Sequence, residues 1–292
     1  MTAEEAFSPM SESIVATWIR YRGDALQRLR DARAWIFDMD GVLYRGSEPL
    51  AGVSELIRIL NERKLPYMLA TNNSMSTSSE YVVKLAKMNI DVPASSILTS
   101  AMATRDYLLQ EFEANAGFFV IGMPALGEQL FLDTPFHAVD PLLEQPAGIV
   151  VGLDKNFTYE KLSLANSTIR AGARFIATNT DATLPTESGL VPGCGSIIAA
   201  IETSTSSKPV VIGKPEPLML EMALARMGVA PGEAVMIGDR LDTDILAGKR
   251  AGMLTLLVLT GVSQREDVPT GPAIPDLIFS DLNAVIDAIT LN

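Results

Sequence analysis

The chain of 292 residues carries 23 lysines and arginines against 35 aspartates and glutamates, a net charge of −12 with histidine neutral. That balance repels nucleic acid and anionic lipid, so neither is predicted as a partner. One cysteine, Cys194, excludes an intrachain disulfide and thiolate clusters within the chain, and one histidine, His137, argues against a histidine-built metal site; a reducing, cytoplasmic setting is predicted.

The first thirty residues include Glu4, Glu5 and Glu12 and no sustained apolar run, a pattern that suits neither a secretory signal nor a membrane span. Ile14, Trp18, Tyr21, Leu26 and Leu29 predict an amphipathic helix from about Ile14 to Arg30, within an N-terminal helical extension over residues 1–31. Its role is read as packing. From Trp35 onward, short β-branched or aromatic runs alternate with polar turns and stretches of helical periodicity. That alternation is the mark of βαβ units, so the predicted class is α/β with a doubly wound parallel sheet. Its strands are placed at Trp35–Phe37, Tyr67–Ala70, Val210–Ile212, Ala234–Ile237 and Leu254–Leu259.

A second α/β unit, with strands at Phe118–Ile121, Ile149–Val151 and Phe175–Ala177, is predicted as an insert over residues 104–207. Residues 1–103 and 208–292 then form the core. The Ser/Thr-rich run Thr203–Ser207 is read as an exposed hinge at the far boundary. One echo crosses the two units: Leu69-Ala70-Thr71-Asn72-Asn73 resembles Ile176-Ala177-Thr178-Asn179-Thr180.

Four strand ends carry the chemistry. Trp35-Ile36-Phe37 stops at Asp38 and Asp40, followed by Gly41, and paired carboxylates at a tight turn suit a hard cation or a helix cap. Thr71-Asn72-Asn73-Ser74 offers hydroxyls and amides for phosphate, with Thr77 and Glu80 forming a capping box for the next helix. Lys214 emerges from an apolar run between Gly213 and Pro215, which restrict its backbone and hold the ammonium in place. Val235-Met236-Ile237-Gly238 delivers Asp239 as a natural metal ligand, with Asp244 either supporting the cation's surroundings or orienting Lys214; Asp242 receives no role. Carboxyl-terminal strand ends of a doubly wound sheet share one edge, so the four motifs are expected to meet as a site for a divalent cation and a phosphoryl group. In the insert, the polar segment Thr178-Asn179-Thr180-Asp181 follows an apolar strand, and either faces a leaving group or shapes a turn before Pro185.

Asp38-Met39-Asp40-Gly41-Val42, Thr71-Asn72-Asn73, Gly213-Lys214-Pro215 and Gly238-Asp239-Arg240-Leu241-Asp242-Thr243-Asp244 resemble, in order and spacing, the four signature motifs of haloacid dehalogenase-like phosphatases. The form of the insert, with Pro192-Gly193-Cys194-Gly195-Ser196 near its end, is similar to the group containing NagD, 4-nitrophenylphosphatases and phosphoglycolate phosphatases. The resemblance runs from about Trp35 to Ile289. It implies that Asp38 is a nucleophile taking up the phosphoryl group and that Asp40 is the acid and base. It implies Mg²⁺ held by Asp38, the Asp40 carbonyl and Asp239, with Asp244 behind them, and phosphate held by Thr71, Asn72, Asn73 and Lys214. It further implies an insert that caps the site and contacts the leaving group through Asn179 and Asp181, and a homodimer formed through that insert. The reaction implied is hydrolysis of a small phosphorylated metabolite whose identity the motifs leave open. Two other readings accommodate the same residues: a phosphate- or nucleotide-sensing module with little turnover, and a phosphomutase.

Overall fold

The computed structural model describes residues 24–186 and 189–290. Residues 24–30 are helical and form the end of the helix predicted from Ile14, whose residues 14–23 lie outside the described residues. Ala25 and Leu29 are buried in the same apolar cluster as Val285 and Ile289, and the Arg30 Nε donates to the Ala288 carbonyl at 2.9 Å. The described end of the extension is therefore packed against the C-terminal helix Leu282–Thr290.

Among the described residues, fifteen strands follow in chain order. The first five are β1 (Ala34–Phe37), β2 (Tyr44–Arg45), β3 (Glu48–Pro49), β4 (Tyr67–Thr71) and β5 (Ile97–Thr99). The next seven are β6 (Gly117–Ile121), β7 (His137–Ala138), β8 (Gly148–Val151), β9 (Arg174–Ala177), β10 (Thr183–Thr186), β11 (Gly189–Pro192) and β12 (Val210–Val211). The last three are β13 (Ala234–Gly238), β14 (Leu254–Val258) and β15 (Leu277–Phe279).

Two parallel sheets take up eleven of them, while β2 with β3 and β10 with β11 form antiparallel pairs. The first has the order β15-β14-β13-β1-β4-β5 and the second β12-β9-β8-β6-β7. Every residue of β1, β4, β13 and β14 is buried, as expected of strands covered by helices on both faces. From β1 the first sheet grows one way through β4 and β5 and the other way through β13, β14 and β15, so its switch point lies between β1 and β13. Crevices at such points gather ligands. The α/β class and parallel architecture read from the sequence are what the chain adopts. Among the described residues, no helix is long and apolar enough to cross a membrane.

Three local expectations need correction. Val210–Val211 pairs in parallel with Ile176–Ala177 and is the edge strand of the second sheet, not a strand of the first. The pairing continues beyond the strand, since the amides of Ile212 and Gly213 donate to the carbonyls of Ala177 and Thr178 at 3.0 and 2.9 Å. A short apolar run announces a strand but not its partner, which is set by contacts distant in sequence. The run Thr203–Ser207 is not an open hinge: Thr203 to Thr205 close the helix Cys194–Thr205, and Ser206 ends it at φ 59°. The first sheet also contains β5 and β15, three residues each and too short to show a period.

The two sheets share apolar packing. One cluster joins Ala34, Ile36 and Met236 of the first sheet to Phe118, Val150 and Ile176 of the second, through Met219 and Leu220 of the helix Leu218–Met227. Leu29, 1% exposed, anchors the extension to the opposite side of the first sheet. Truncating it as Leu29→Ala is expected to cost about 2–5 kcal/mol of stability by cavity formation. Denaturant titration measures that loss, and turnover at temperatures below the transition should remain parental.

Candidate active site

β1 and β13 run side by side, and each ends on a carboxylate: Asp38 follows Phe37, and Asp239 follows Gly238. Lys214 reaches them from the other sheet, three residues after β12. Its side chain is buried, and its Nζ contacts Asp38 Oδ1, Asp244 Oδ1 at 2.7 Å and the Ala70 carbonyl at 3.0 Å. Burial works against this ammonium, but Asp244 and Asp38 outweigh it and hold its pKa above the ordinary lysine value.

Asp244 lies in a π-helical turn, Leu241–Ile245, which leads into the helix Leu246–Arg250. While one oxygen faces Lys214, the other accepts the backbone amides of Asp239 and Arg240 at 3.2 and 3.1 Å. Asp239 is held in turn by the Val262 amide, which donates to Oδ2 at 2.7 Å. Backbone must come very close to these acids. A methyl group on Gly261 would lie 1.9 Å from Asp239 Oδ2, and one on Gly238 would lie 2.1 Å from Asp244 Cβ. Gly41 adds a second demand, for its φ of +83° is left-handed and a side chain there would meet the same Asp239 carboxylate.

Carboxylate oxygens of Asp38, Asp239 and Asp244 lie within 4.8 Å of one another. Burial pushes the Asp38 pKa well above its ordinary value; Lys214 opposes that shift while Asp244 and Asp239 add to it. Asp239 is pushed up to about 7, again by burial first and then by Asp244. Acids that resist ionisation in such a cluster favour a cation among them, and an all-oxygen donor set suits Mg²⁺ rather than a soft metal. The donors present therefore fit the ion predicted from the motifs.

Asp40 stands at the solvent side of the turn. The Tyr44 hydroxyl donates to its Oδ2 at 3.2 Å, and the Lys84 ammonium lies 3.8 Å from the centre of the Tyr44 ring. Enough protein surrounds the carboxyl that desolvation raises its pKa, with Lys84 and the Tyr44 hydroxyl opposing. A raised pKa suits a group that must arrive protonated to donate. Thr71 ends β4, where its hydroxyl accepts the Asn73 amide at 3.2 Å, and Asn73 Oδ1 accepts the Met75 amide at 2.7 Å. The capping box expected at Thr77 and Glu80 is present.

The structure thus brings Asp38, Asp239, Asp244 and Lys214 into one cluster, with Asp40 two residues from its centre. Asn179 and Asp181 lie against Asn72 of the first sheet's loop: Asn179 Nδ2 donates to the Asn72 carbonyl at 2.8 Å, and Asp181 accepts from Asn72 Nδ2. Asp242 pairs with Arg240 at 2.8 Å on the exposed side of the turn. His137 sits on an edge strand of the second sheet, and Cys194 is buried at the start of a helix. Sequence reasoning missed Tyr44 and the loop Thr260–Ser263, in which the Thr260 hydroxyl donates to the Gly41 carbonyl at 2.6 Å and the Ser263 hydroxyl accepts the Leu241 amide. The loop had a usable signal, a Thr-Gly pair directly after the strand run Leu254–Leu259; Tyr44 had none.

A parallel α/β frame with aspartates at its switch point and a buried lysine between them defines a phosphoryl-handling hydrolase. Comparison with known proteins agrees. A family model described as haloacid dehalogenase-like hydrolase matches residues 35–131, and a second, HAD-hydrolase-like, matches residues 211–285. An acid sugar phosphatase of Staphylococcus epidermidis is 38% identical over 258 residues, covering 88% of this chain and 98% of that protein. The crystal structure of a 4-nitrophenylphosphatase from Thermotoga maritima superposes with a TM-score of 0.84 at 37% identity, covering 90% of this chain and 99% of the other. A glycerol phosphate phosphatase from Mycobacterium tuberculosis, solved in complex with magnesium, gives 0.81 at 31% identity, covering 88% and 77%. The chain belongs to the haloacid dehalogenase-like hydrolases and is one of their phosphatases, in the group that includes NagD and the 4-nitrophenylphosphatases.

Two outcomes follow from this geometry. Gly261→Ala creates no left-handed strain but drives a methyl group into Asp239. It should weaken the binding of added Mg²⁺, read as a rise in the half-saturating metal concentration of roughly tenfold or more, on the scale of disturbing the surroundings of a metal ligand. Asp239→Asn removes a carboxyl whose raised pKa costs the metal-free fold stability as pH rises through about 7. Metal-free Asp239→Asn protein should accordingly melt above the parent at pH 8, with the advantage shrinking as pH falls towards 4. Addition of Mg²⁺ should raise the Tm of the parent and leave the variant where it was.

Proposed function

We propose that this enzyme is a Mg²⁺-dependent phosphomonoester hydrolase that works through a phospho-aspartate on Asp38 and acts on small phosphorylated metabolites of the sugar and polyol class. One observation carries the reading: the Lys214 ammonium is buried between Asp38 and Asp244, beside Asp239 and two residues from a second acid at Asp40. The substrate class rests on the relatives, one described as an acid sugar phosphatase and another as a glycerol phosphate phosphatase.

In the first step an Asp38 oxygen attacks phosphorus, the bond to the ester oxygen breaks, and the Asp40 carboxyl gives its proton to the departing alcohol. In the second, Asp40 as carboxylate takes a proton from water, the resulting hydroxide attacks phosphorus, and the bond to Asp38 breaks to release inorganic phosphate. The Tyr44 hydroxyl keeps Asp40 in place for both transfers. Lys214, with the Thr71 hydroxyl and the amides near Asn73, balances charge on the non-bridging oxygens. Asp38, the Asp40 carbonyl and Asp239 would hold Mg²⁺, which supplies charge neutralisation and keeps Asp38 ionised. With both of its oxygens engaged by Lys214 and by backbone amides, Asp244 is better suited to orienting than to ligation. We place the inserted unit, residues 104–207 together with the edge strand β12 that completes its sheet, over the carboxyl edge of the first sheet as a cap that excludes water during transfer.

Asp38→Asn is expected to abolish release of nitrophenol from 4-nitrophenyl phosphate, and Asp40→Asn to lower kcat roughly 10²- to 10⁴-fold. Chelation should stop the parent enzyme and Mg²⁺ restore it. A panel of hexose, pentose, glycerol, nucleoside and glycolate phosphates assigns the substrate class by kcat/KM. Parental turnover in Asp38→Asn would sink the mechanism, and a preference for nucleotides would sink the class.

A further inference from the structure

We infer that Asn72 is a positioning residue: its side chain is a three-way joint that sets Lys214 and ties that setting to the segment Thr178–Asp181 of the second sheet. The inference rests on the proposed reaction, in which Lys214 holds the phosphoryl group.

A carboxamide offers two donors and an acceptor, and here all are engaged within the protein. Oδ1 accepts the Lys214 amide at 2.9 Å, while Nδ2 donates to the Lys214 carbonyl at 2.7 Å and to Asp181 at 3.0 and 3.2 Å to its two oxygens. One side chain, 142 residues away in sequence, thereby grips both polar backbone groups of Lys214. Its own backbone is held just as firmly, for the Asn72 carbonyl accepts Asn179 Nδ2 at 2.8 Å and the Ser100 hydroxyl at 2.6 Å. Asn72 is buried, and its side chain is committed to these contacts rather than to a phosphoryl oxygen. Close approach is enforced by Gly213, where a methyl group would fall 2.5 Å from Asn72 Oδ1 and 2.6 Å from the Thr178 carbonyl. Neither an apolar residue nor an aspartate can replace this pattern, since the first lacks both functions and the second lacks the donors.

Lys214 must stand between Asp38 and Asp244 for its charge to meet the phosphoryl group. Loss of the joint therefore acts on turnover and on phosphate affinity together, through the lysine. Asn179 and Asp181 act on the same element by holding Asn72.

The test uses the full chain with Mg²⁺ and four variants: Asn72→Ala, Asn72→Asp, Asp181→Asn, and the exchange Asn72→Asp/Asp181→Asn. For each, kcat and KM are measured with 4-nitrophenyl phosphate and a panel of sugar phosphates, together with the inhibition constant of inorganic phosphate and the Tm. Asn72→Ala is expected to lower kcat roughly 10- to 100-fold, the scale of a misplaced catalytic group, and to raise the phosphate inhibition constant. Asn72→Asp should fall further, because it sets two carboxylates face to face. The exchange restores a donor at position 181 and should recover about tenfold of the lost kcat, a coupling that a double-mutant cycle isolates. The order of kcat/KM across the panel should stay parental throughout.

Parental kcat and phosphate inhibition in Asn72→Ala, or an exchange no better than Asn72→Asp, would overturn the joint. Reordering of the panel by Asp181→Asn would overturn it too, by making Asp181 a substrate contact. Should the Asn72 variants fail to fold, Asp181→Ala decides: a lowered kcat with a parental substrate order supports the joint, and an unchanged kcat or a new order overturns it. A parent chain without Mg²⁺-dependent hydrolysis would instead refute the proposed reaction and this role with it. An active parent alongside an indifferent Asn72→Ala refutes the joint alone.

Discussion

The Lys214 ammonium, buried where water cannot solvate it, is the constraint around which the molecule is arranged. An unpaired charge in such a place is prohibitively costly, and a partner on one side alone repays little of that cost. Here the ammonium is met by Asp38, by Asp244 and by the Ala70 carbonyl, so each of its three donors has an acceptor. Those acceptors come from the ends of β1 and β4 and from the turn after β13, while the lysine comes from the other sheet. Satisfying one charge requires two sheets to meet at one point, with glycine at positions 41, 213, 238 and 261 wherever backbone must pass close to an acid or an amide.

Much of this is legible in the sequence because the physics is local. Asp38 and Asp239 each end an uninterrupted apolar run, and parallel strands bring such ends to a common edge, so their meeting follows from pattern and topology together. Gly213 and Pro215 mark Lys214 as placed, and the burial of its side chain shows how tightly. The direction from which it arrives was not legible: Val210–Val211 looks like any short apolar strand, and its pairing with β9 depends on contacts remote in sequence. Tyr44 was hidden for the opposite reason. It sits in an apolar stretch as a core residue would, and only the turn through Gly41 brings its hydroxyl back to Asp40, four residues earlier.

The echo between Leu69-Ala70-Thr71-Asn72 and Ile176-Ala177-Thr178-Asn179 also acquires a physical meaning. Both segments end a buried strand, β4 in one sheet and β9 in the other, and the two asparagines touch through Asn179 Nδ2 and the Asn72 carbonyl. Similar polar strand ends thus abut where the sheets meet. At that junction each offers a carboxamide donor to the other, Asn179 Nδ2 to the Asn72 carbonyl and Asn72 Nδ2 to the Asp181 carboxylate.

The path of the chain through β12 has a consequence for how the protein opens. Lys214 directly follows Val210–Gly213, whose backbone is zipped to β9 by hydrogen bonds as far as Thr178. Fraying of that edge would loosen the lysine's backbone, and the contacts of Asn72, Asp38 and Asp244 with the lysine oppose it. In the proposed reaction, anion binding at Lys214 would then be linked by mass action to closure of that edge. Amide hydrogen exchange of Ile212 and Gly213 should slow when phosphate is bound, making the rim of a sheet that supplies none of the acids the place where occupancy of the site is felt.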